Sequence, residues 1–376
     1  MTARQLIGIL PFIVVTAFCS AQNDSIKKSA DTTHFFSKVG NKITAKRDWL
    51  LGIMLNRTPE TGFLTGLHYM QFFKMSRDSN LRTSNFDFTF SYTQKKQVIV
   101  MLNNTLIFKE GKYILRGTNA YKKWNEYFWG IGNDAPESNK ELVNFNLRQV
   151  TQRFSRAITS RLYAGIQYQY YQLSEISSPS GGLLDSLPIA GAQGSLTSGV
   201  GAHILYDSRD NVINSYKGFY LDISNYVNDK HFGSNYNFNN FTIDARRYIQ
   251  IFPRRILALQ AIMNFNWGDV PFKQMASIGG EKMMRGYYYG RYRDYNMIAF
   301  QAEYRFPVWR WVGLCVFGSC GEVAGKINQF NTRNVLFTYG ICFRILWIKH
   351  ERVNVGFDIG VGKHTAGSYG GTGEVF

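Results

Sequence analysis

The sequence predicts an all-β fold, a transmembrane antiparallel β-barrel of about sixteen strands, and three observations carry that prediction. Apolar and polar residues alternate with a period of two from about Trp49 to the end of the 376-residue chain. Beyond the amino-terminal segment, no uncharged apolar stretch is long enough to be a membrane-spanning helix, and mean hydropathy is −0.22. Aromatic residues make up 16% of the chain, with 35 Gly and only 8 Pro, which suits strands and the aromatic girdles of membrane barrels.

At the amino terminus, Arg4 precedes an apolar run from Leu6 to Phe18, followed by Ser20-Ala21. This pattern reads as a secretory signal peptide, residues 1–21, cleaved after Ala21. The run is shorter than the roughly 20 residues a bilayer-crossing helix needs, and Pro11 interrupts it. A lipoprotein reading through Cys19 is weaker, because Phe18 stands where a small residue is expected. Residues 22–47, rich in Ser, Thr, Lys and Asp, read as a short periplasmic leader, and 48–376 as one outer-membrane barrel domain. The chain carries 43 basic and 26 acidic residues, a net charge of +17, and cleavage would remove one cation, Arg4. The charges form no basic helix or tail, so nucleic acid is not expected as a partner. Outer-membrane lipid and lipopolysaccharide fit better, as does an anion-attracting lumen, although Lys and Arg spread over turns and pore wall would give the same balance.

The predicted strands lie near 48–56, 62–75, 84–93, 97–108, 112–120, 141–155, 160–173, 196–207, 216–227, 237–250, 255–267, 296–307, 312–324, 333–346, 351–361 and 367–376. Phe86, Phe88, Phe90 and Tyr92 alternate with Asp87, Thr89, Ser91 and Thr93, and the polar face is expected to look inward. Leu257 to Trp267 and Ile298 to Phe306 alternate the same way. Most of these strands exceed the ~5–6 residues usual in soluble sandwiches and approach the ~9–11 of tilted membrane strands. Loop parity agrees. The longest connections, about 121–140, 174–195 and 268–295, all follow odd-numbered strands, whereas Glu110-Gly111, Phe252-Pro253-Arg254 and Val308 to Trp311 are short.

Little in the chain resembles a catalytic or metal centre. Cys315, Cys320 and Cys342 lack metal-ligand spacing; Cys315 and Cys320 point to opposite faces of one strand, and free, membrane-shielded thiols are expected. His34, His68, His203, His231, His350 and His364 are scattered, without a nucleophile motif or metal spacing, and Gly279-Gly280 is not followed by the Lys-Ser/Thr of a phosphate cradle. No enzyme activity, phospholipase included, and no cofactor or metal are expected.

Three segments carry a family resemblance. Tyr206-Asp207-Ser208-Arg209-Asp210-Asn211 with Tyr216-Lys217-Gly218 is a turn in which Asp and Asn mimic backbone and Gly218 frees the chain to re-enter the sheet. Met284-Arg285-Gly286-Tyr287 lies in the longest loop, and Ala302-Glu303-Tyr304-Arg305-Phe306-Pro307 forms the twelfth predicted strand, where alternation already places Glu303 on the lumen face. Val316 to Val323 follows on the thirteenth. Together these resemble the barrel domain of the BamA/TamA outer-membrane assembly family, the bacterial surface antigen family. The likeness extends loosely to Leu51-Gly52-Ile53 through Pro59-Glu60-Thr61-Gly62 and to a final strand ending in the aromatic Phe376.

The resemblance implies that the long outer loop folds into the lumen and that Arg285 pairs with acidic residues on the next two strands. Glu303 is then one partner. Ser319 stands where the family usually carries Asp, so the second acidic anchor is expected to be missing, with either a weaker Arg285 clamp or a charge pattern rearranged by Arg305 and Glu322. The family's inserting and exporting members carry periplasmic domains ahead of the barrel, for which residues 22–47 leave no room. The resemblance also implies a first-to-last-strand seam that opens sideways, and Gly367, Gly370, Gly371 and Gly373 would weaken the last strand there. The expected role is assistance in insertion or translocation of proteins, alone or as an accessory subunit. Unfolded outer-membrane protein clients and periplasmic partner proteins are the expected partners. The alternative is a non-catalytic pore or structural barrel with a basic lumen.

Overall fold

Strands alternating in polarity close on themselves in the computed structural model of the protein, which describes residues 49–73, 75, 84–109, 111–349 and 352–376. The expected signal peptide and leader lie outside the described residues. Sixteen strands form one closed antiparallel barrel. In chain order the first eight are β1 (Trp49–Thr58), β2 (Gly62–Phe73), β3 (Ser84–Thr93), β4 (Val98–Phe108), β5 (Tyr113–Phe128), β6 (Glu141–Ala157), β7 (Leu162–Ser177) and β8 (Ser195–Asp207). The barrel continues with β9 (Gly218–Asn228), β10 (Phe238–Phe252) and β11 (Arg255–Gly268). After a long connection come β14 (Asn296–Pro307), β15 (Val312–Ala324), β16 (Leu336–Ile348), β17 (Val353–Gly362) and β18 (Thr365–Thr372). That connection contains a small ribbon, β12 (Ala276–Ile278) against β13 (Tyr292–Asp294). No helix among the described residues is long and apolar enough to cross a membrane.

Burial follows the alternation. On β3, Phe86, Phe88, Phe90 and Tyr92 are exposed, while Thr89, Ser91 and Thr93 are buried, so the apolar face is the outer one. On β14, Phe300 is exposed, and Ala299, Gln301, Glu303 and Arg305 are buried. A soluble sandwich would show the reverse, with aromatics inside.

Several boundaries differ from the sequence reading, for identifiable reasons. β5 runs through Phe128, well past the expected residue 120. Its outer half, Tyr121-Lys122-Lys123-Trp124-Asn125-Glu126, looks like a loop because Lys122 and Glu126 occupy its inward positions, which a lumen tolerates and an apolar core does not. The last strand ends at Thr372, and Gly373 adopts φ +86°. The terminal residues therefore leave the sheet.

Two apolar clusters anchor the long connection. Ile278, Met283, Met284, Tyr287 and Tyr292 pack on Met297, Ala299 and Val323 of β14 and β15. On the far side Phe272 packs with Phe128, Val143 and Phe145 of β5 and β6. Glu60, in the β1–β2 turn, is buried and accepts the Tyr289 amide at 2.7 Å. Burial raises its pKa above the ordinary carboxylate range, against the lowering effect of that bond.

Candidate functional site

The connection between β11 and β14 delivers Arg285 to the buried face of the wall. Met284 and Gly286 flank it with positive φ, +54° and +118°. A Cβ at Gly286 would lie 2.8 Å from the Val361 backbone, so only glycine fits this approach to β17. The Gly286 amide donates to the Tyr369 hydroxyl at 3.0 Å, Thr365 Oγ1 donates to the Gly286 carbonyl at 3.1 Å, and the Tyr287 hydroxyl donates to the Phe337 carbonyl at 3.3 Å. Wall residues of β16 to β18 thus fix the motif's backbone before its side chain is considered.

The Arg285 guanidinium is fully buried. Nη2 meets Glu303 Oε2 at 3.1 Å, Nη1 pairs with Asp358 Oδ2, and the guanidinium lies 3.7 Å from the Phe317 ring centroid. The pairing continues beyond it. Asp358 also pairs with Arg344 Nη1, and Arg344 Nε reaches Glu374 at 3.0 Å. Glu374 lies 3.8 Å from Arg305 Nε, which lies 3.6 Å from Glu303. Three arginines and three carboxylates therefore alternate in a closed ring, Arg285, Glu303, Arg305, Glu374, Arg344 and Asp358. Charges taken out of water cost several kcal/mol each unless paired, and in this ring every charge has two opposite neighbours. The Arg305 corner is the loose one, since both of its ion-pair distances exceed hydrogen-bond length.

The ring corrects three expectations. Ser319 does not leave Arg285 short of an acid, because Asp358 of β17 supplies the second carboxylate. Ser319 is buried, and its hydroxyl has no hydrogen-bond partner among the described residues. Arg305 joins the charge rearrangement as expected, but Glu322 instead accepts the Asn331 amide. The terminal Phe376 does not end a strand. It packs inside against Tyr248 and Ala258, where Arg305 Nη2 donates to its main-chain oxygen at 2.9 Å. Of the ring members, sequence reasoning named Arg285, Glu303 and Arg305, and missed Arg344, Asp358 and Glu374.

Cysteine is the fourth correction. Cys315 and Cys342 face each other across β15 and β16 and form a disulfide, while Cys320 is free. The bridge sits against the ring, with Cys315 Sγ 3.2 Å from Glu303 Oε1 and Cys342 Sγ 3.6 Å from Arg285 Nη1. These two sulfurs and Glu303 are close enough to suggest a metal site. Sulfurs joined in a disulfide offer no thiolate, and Arg285 and Arg305 already occupy the carboxylate.

At the seam, β1 and β18 register at Arg57↔Gly370, whereas β1 pairs with β2 from Trp49↔Gln71 to Thr58↔Gly62. Gly370 and Gly371 lie beside Asn56 of β1, Gly367 is covered by the Tyr369 ring, and Gly373 is already in the departing tail. At the same end of the barrel as Phe376, Asp207 holds the Arg209 amide and guanidinium, and Asp210 accepts the Tyr216 and Lys217 amides. A Cβ at Gly218 would lie 2.5 Å from the Ser208 carbonyl. Arg352 reaches Asp210 at 2.7 Å, and Asn214 reaches Glu374 at 3.5 Å, so this turn touches both the β16–β17 turn and the tail. His203 is buried and bonded through Nε2 to Ser155 Oγ at 2.8 Å, while its Nδ1 has no hydrogen-bond partner among the described residues.

The barrel fold has known counterparts. The barrel resembles that of BamA from Haemophilus ducreyi lacking POTRA domains 1–3, with a TM-score of 0.59 and 13% identity over 96% of this chain and 75% of that one. It also resembles CdiB from Acinetobacter baumannii, TM-score 0.57 and 13% identity over 87% of this chain and 60% of that one. CdiB from Escherichia coli gives 0.60 and 8% over 98% and 69%. No curated protein sequence matches the chain. The model of the Omp85 superfamily domain matches residues 69–362, and the chain therefore belongs to the Omp85 superfamily.

Proposed function

We propose that the chain is an integral outer-membrane barrel that assists insertion or translocation of proteins by opening between β1 and β18, alone or as an accessory subunit, without a cofactor and without catalysis. One observation carries this reading: the β1–β18 register at Arg57↔Gly370, beside the full β1–β2 ladder. Backbone groups left unpaired in a bilayer cost several kcal/mol each, so an edge of this kind gains from any strand that satisfies it. An extended client segment does so by adding to the edge. Leu51, Ile53 and Leu55 of β1 already present an outward apolar face. The tail's departure into the lumen removes Gly373 to Phe376 as competitors for the same edge.

The test is a reversible lock. The register places Asn56, rather than Leu51, beside Gly371, so cysteines belong at Asn56 and Gly371, with Cys320→Ser and the native disulfide kept. Loss of function on oxidation and recovery on mild reduction, with the barrel folded throughout, is the expected result. A locked barrel that functions normally would make the seam inert and the protein a pore or scaffold.

A further inference from the structure

Away from the seam and the ring, a cavity of about 530 Å³ is lined by the inner faces of β5 to β11 and β14 and by the long connection. Its size is that of a small-molecule site. The charged side chains lining it are Lys122, Glu126 and Lys273. Glu126 is bound by Lys273 and, from behind, by Arg293 at 3.3 Å, so its charge is already answered. Lys122 makes no hydrogen bond or ion pair among the described residues.

Its neighbours make the position more specific. Lys122 pairs across β5 and β6 with Leu147, which puts it diagonal to Gln149, and Gln149 stands directly opposite Tyr171 of β7. Neither the Gln149 amide nor the Tyr171 hydroxyl has a hydrogen-bond partner among the described residues. An ammonium, an amide and a phenol thus adjoin on one wall with unused donors. Trp124, Leu147 and Leu173 on the wall and Met275 and Met297 of the facing side give the cavity an apolar patch, while Gln169, Ser195, Asn240, Asn264 and Gln274 line the rest of it.

We propose that this cavity is a binding site for a small amphipathic anion, its carboxylate or sulfonate head held by Lys122, Gln149 and Tyr171 and its apolar body set against Trp124 and Met275. A half-buried ammonium whose neighbouring carboxylate, Glu126, is already bound by Lys273 and Arg293 gains from an anion that enters, and two neutral donors beside it fix the head's direction. Because Met275 and Tyr289 belong to the long connection, an occupant ties that connection to β5–β7.

The full chain, refolded in dodecyl maltoside, is titrated by calorimetry with 2-naphthalenesulfonate and with its neutral counterpart 2-naphthalenemethanol. Saturable binding of the sulfonate at one site is expected. Lys122→Met weakens it about tenfold or more, the loss of one charge-assisted bond, and leaves the alcohol unchanged. Lys122→Arg keeps the charge and holds affinity within about threefold, which guards against a folding defect in the Met variant. Equal sulfonate binding by wild type and Lys122→Met, or heats that never saturate, would overturn the proposal and assign the signal to the micelle.

Discussion

β5 and β6 pair from Tyr113↔Arg156 to Phe128↔Glu141, the longest ladder of the barrel, whereas β18 meets β1 at Arg57↔Gly370 and then turns inward. The two regions are held by different forces. On the β5–β7 flank, backbone pairing is continuous, and Phe128, Val143, Phe145 and Leu173 fill the space behind it. Near the seam, glycines take the place of side chains, and the ion ring ties β14, β16, β17, the long connection and the tail together. Order beside the seam is thus carried by side chains, and under the proposed function such a seam would open without unzipping the rest of the sheet.

Arg285→Ala breaks this division most severely. It leaves buried Glu303 with only the loose Arg305 contact and Asp358 with Arg344 alone, and removing one partner of a buried pair costs about 3–5 kcal/mol. Amide hydrogen exchange is expected to accelerate in β16 to β18 and to stay unchanged in β5 to β7. Uniform acceleration would mean that the ring supports the whole barrel and not the seam side alone. Arg285→Lys keeps one charge without the two-pronged geometry and falls between.

Next in size is the bridge. Cys315→Ser with Cys342→Ser removes a cross-link between residues 27 apart in sequence and is expected to cost about 2–4 kcal/mol, read as a lower urea midpoint. The paired substitution also withdraws both sulfurs from Glu303 and Arg285, so β15 and β16 should exchange faster than β6 and β7. An unchanged midpoint would show that the β15–β16 ladder alone holds the wall behind Arg285.

How much of this was legible depends on the kind of information each residue carries. Alternation reports which face a residue takes, and β3 was read to its correct ends because Phe86 to Thr93 never breaks the pattern. It also placed Glu303 inward. It does not report which inward residues meet, since that depends on register, and a one-residue slip would turn Cys342 away from Cys315. Asp358 and Arg344 were legible as inward positions at best. Gly356, Gly360 and Gly362 blur the polarity of β17, and Glu374 lies in a tail that reads as strand until Gly373 is seen to turn. Resemblance named Arg285 and directed attention to Ser319, while the answering acid lay two strands away, on β17.

The smallest expected effect lies at the end of the barrel where the tail enters, and it tests whether the turns there share in holding the seam side. Burial pushes the Asp210 carboxyl upward, but the Arg352 hydrogen bond and the Lys217 and Tyr216 amides outweigh it and hold the pKa below the ordinary range. A carboxylate with a depressed folded-state pKa contributes stability above its unfolded value, near 4, and loses it as pH falls through the folded value. Both partners are partly exposed, so the contribution is below about 1 kcal/mol. Asp210→Asn keeps an oxygen for the Tyr216 amide and removes only the charge. Its urea midpoint should therefore fall slightly below wild type at pH 7, and the gap should narrow as pH falls from 4 to 3. A gap undiminished at pH 3 would assign the effect to turn geometry, leaving the charge on Arg352 no part in anchoring the β16–β17 turn.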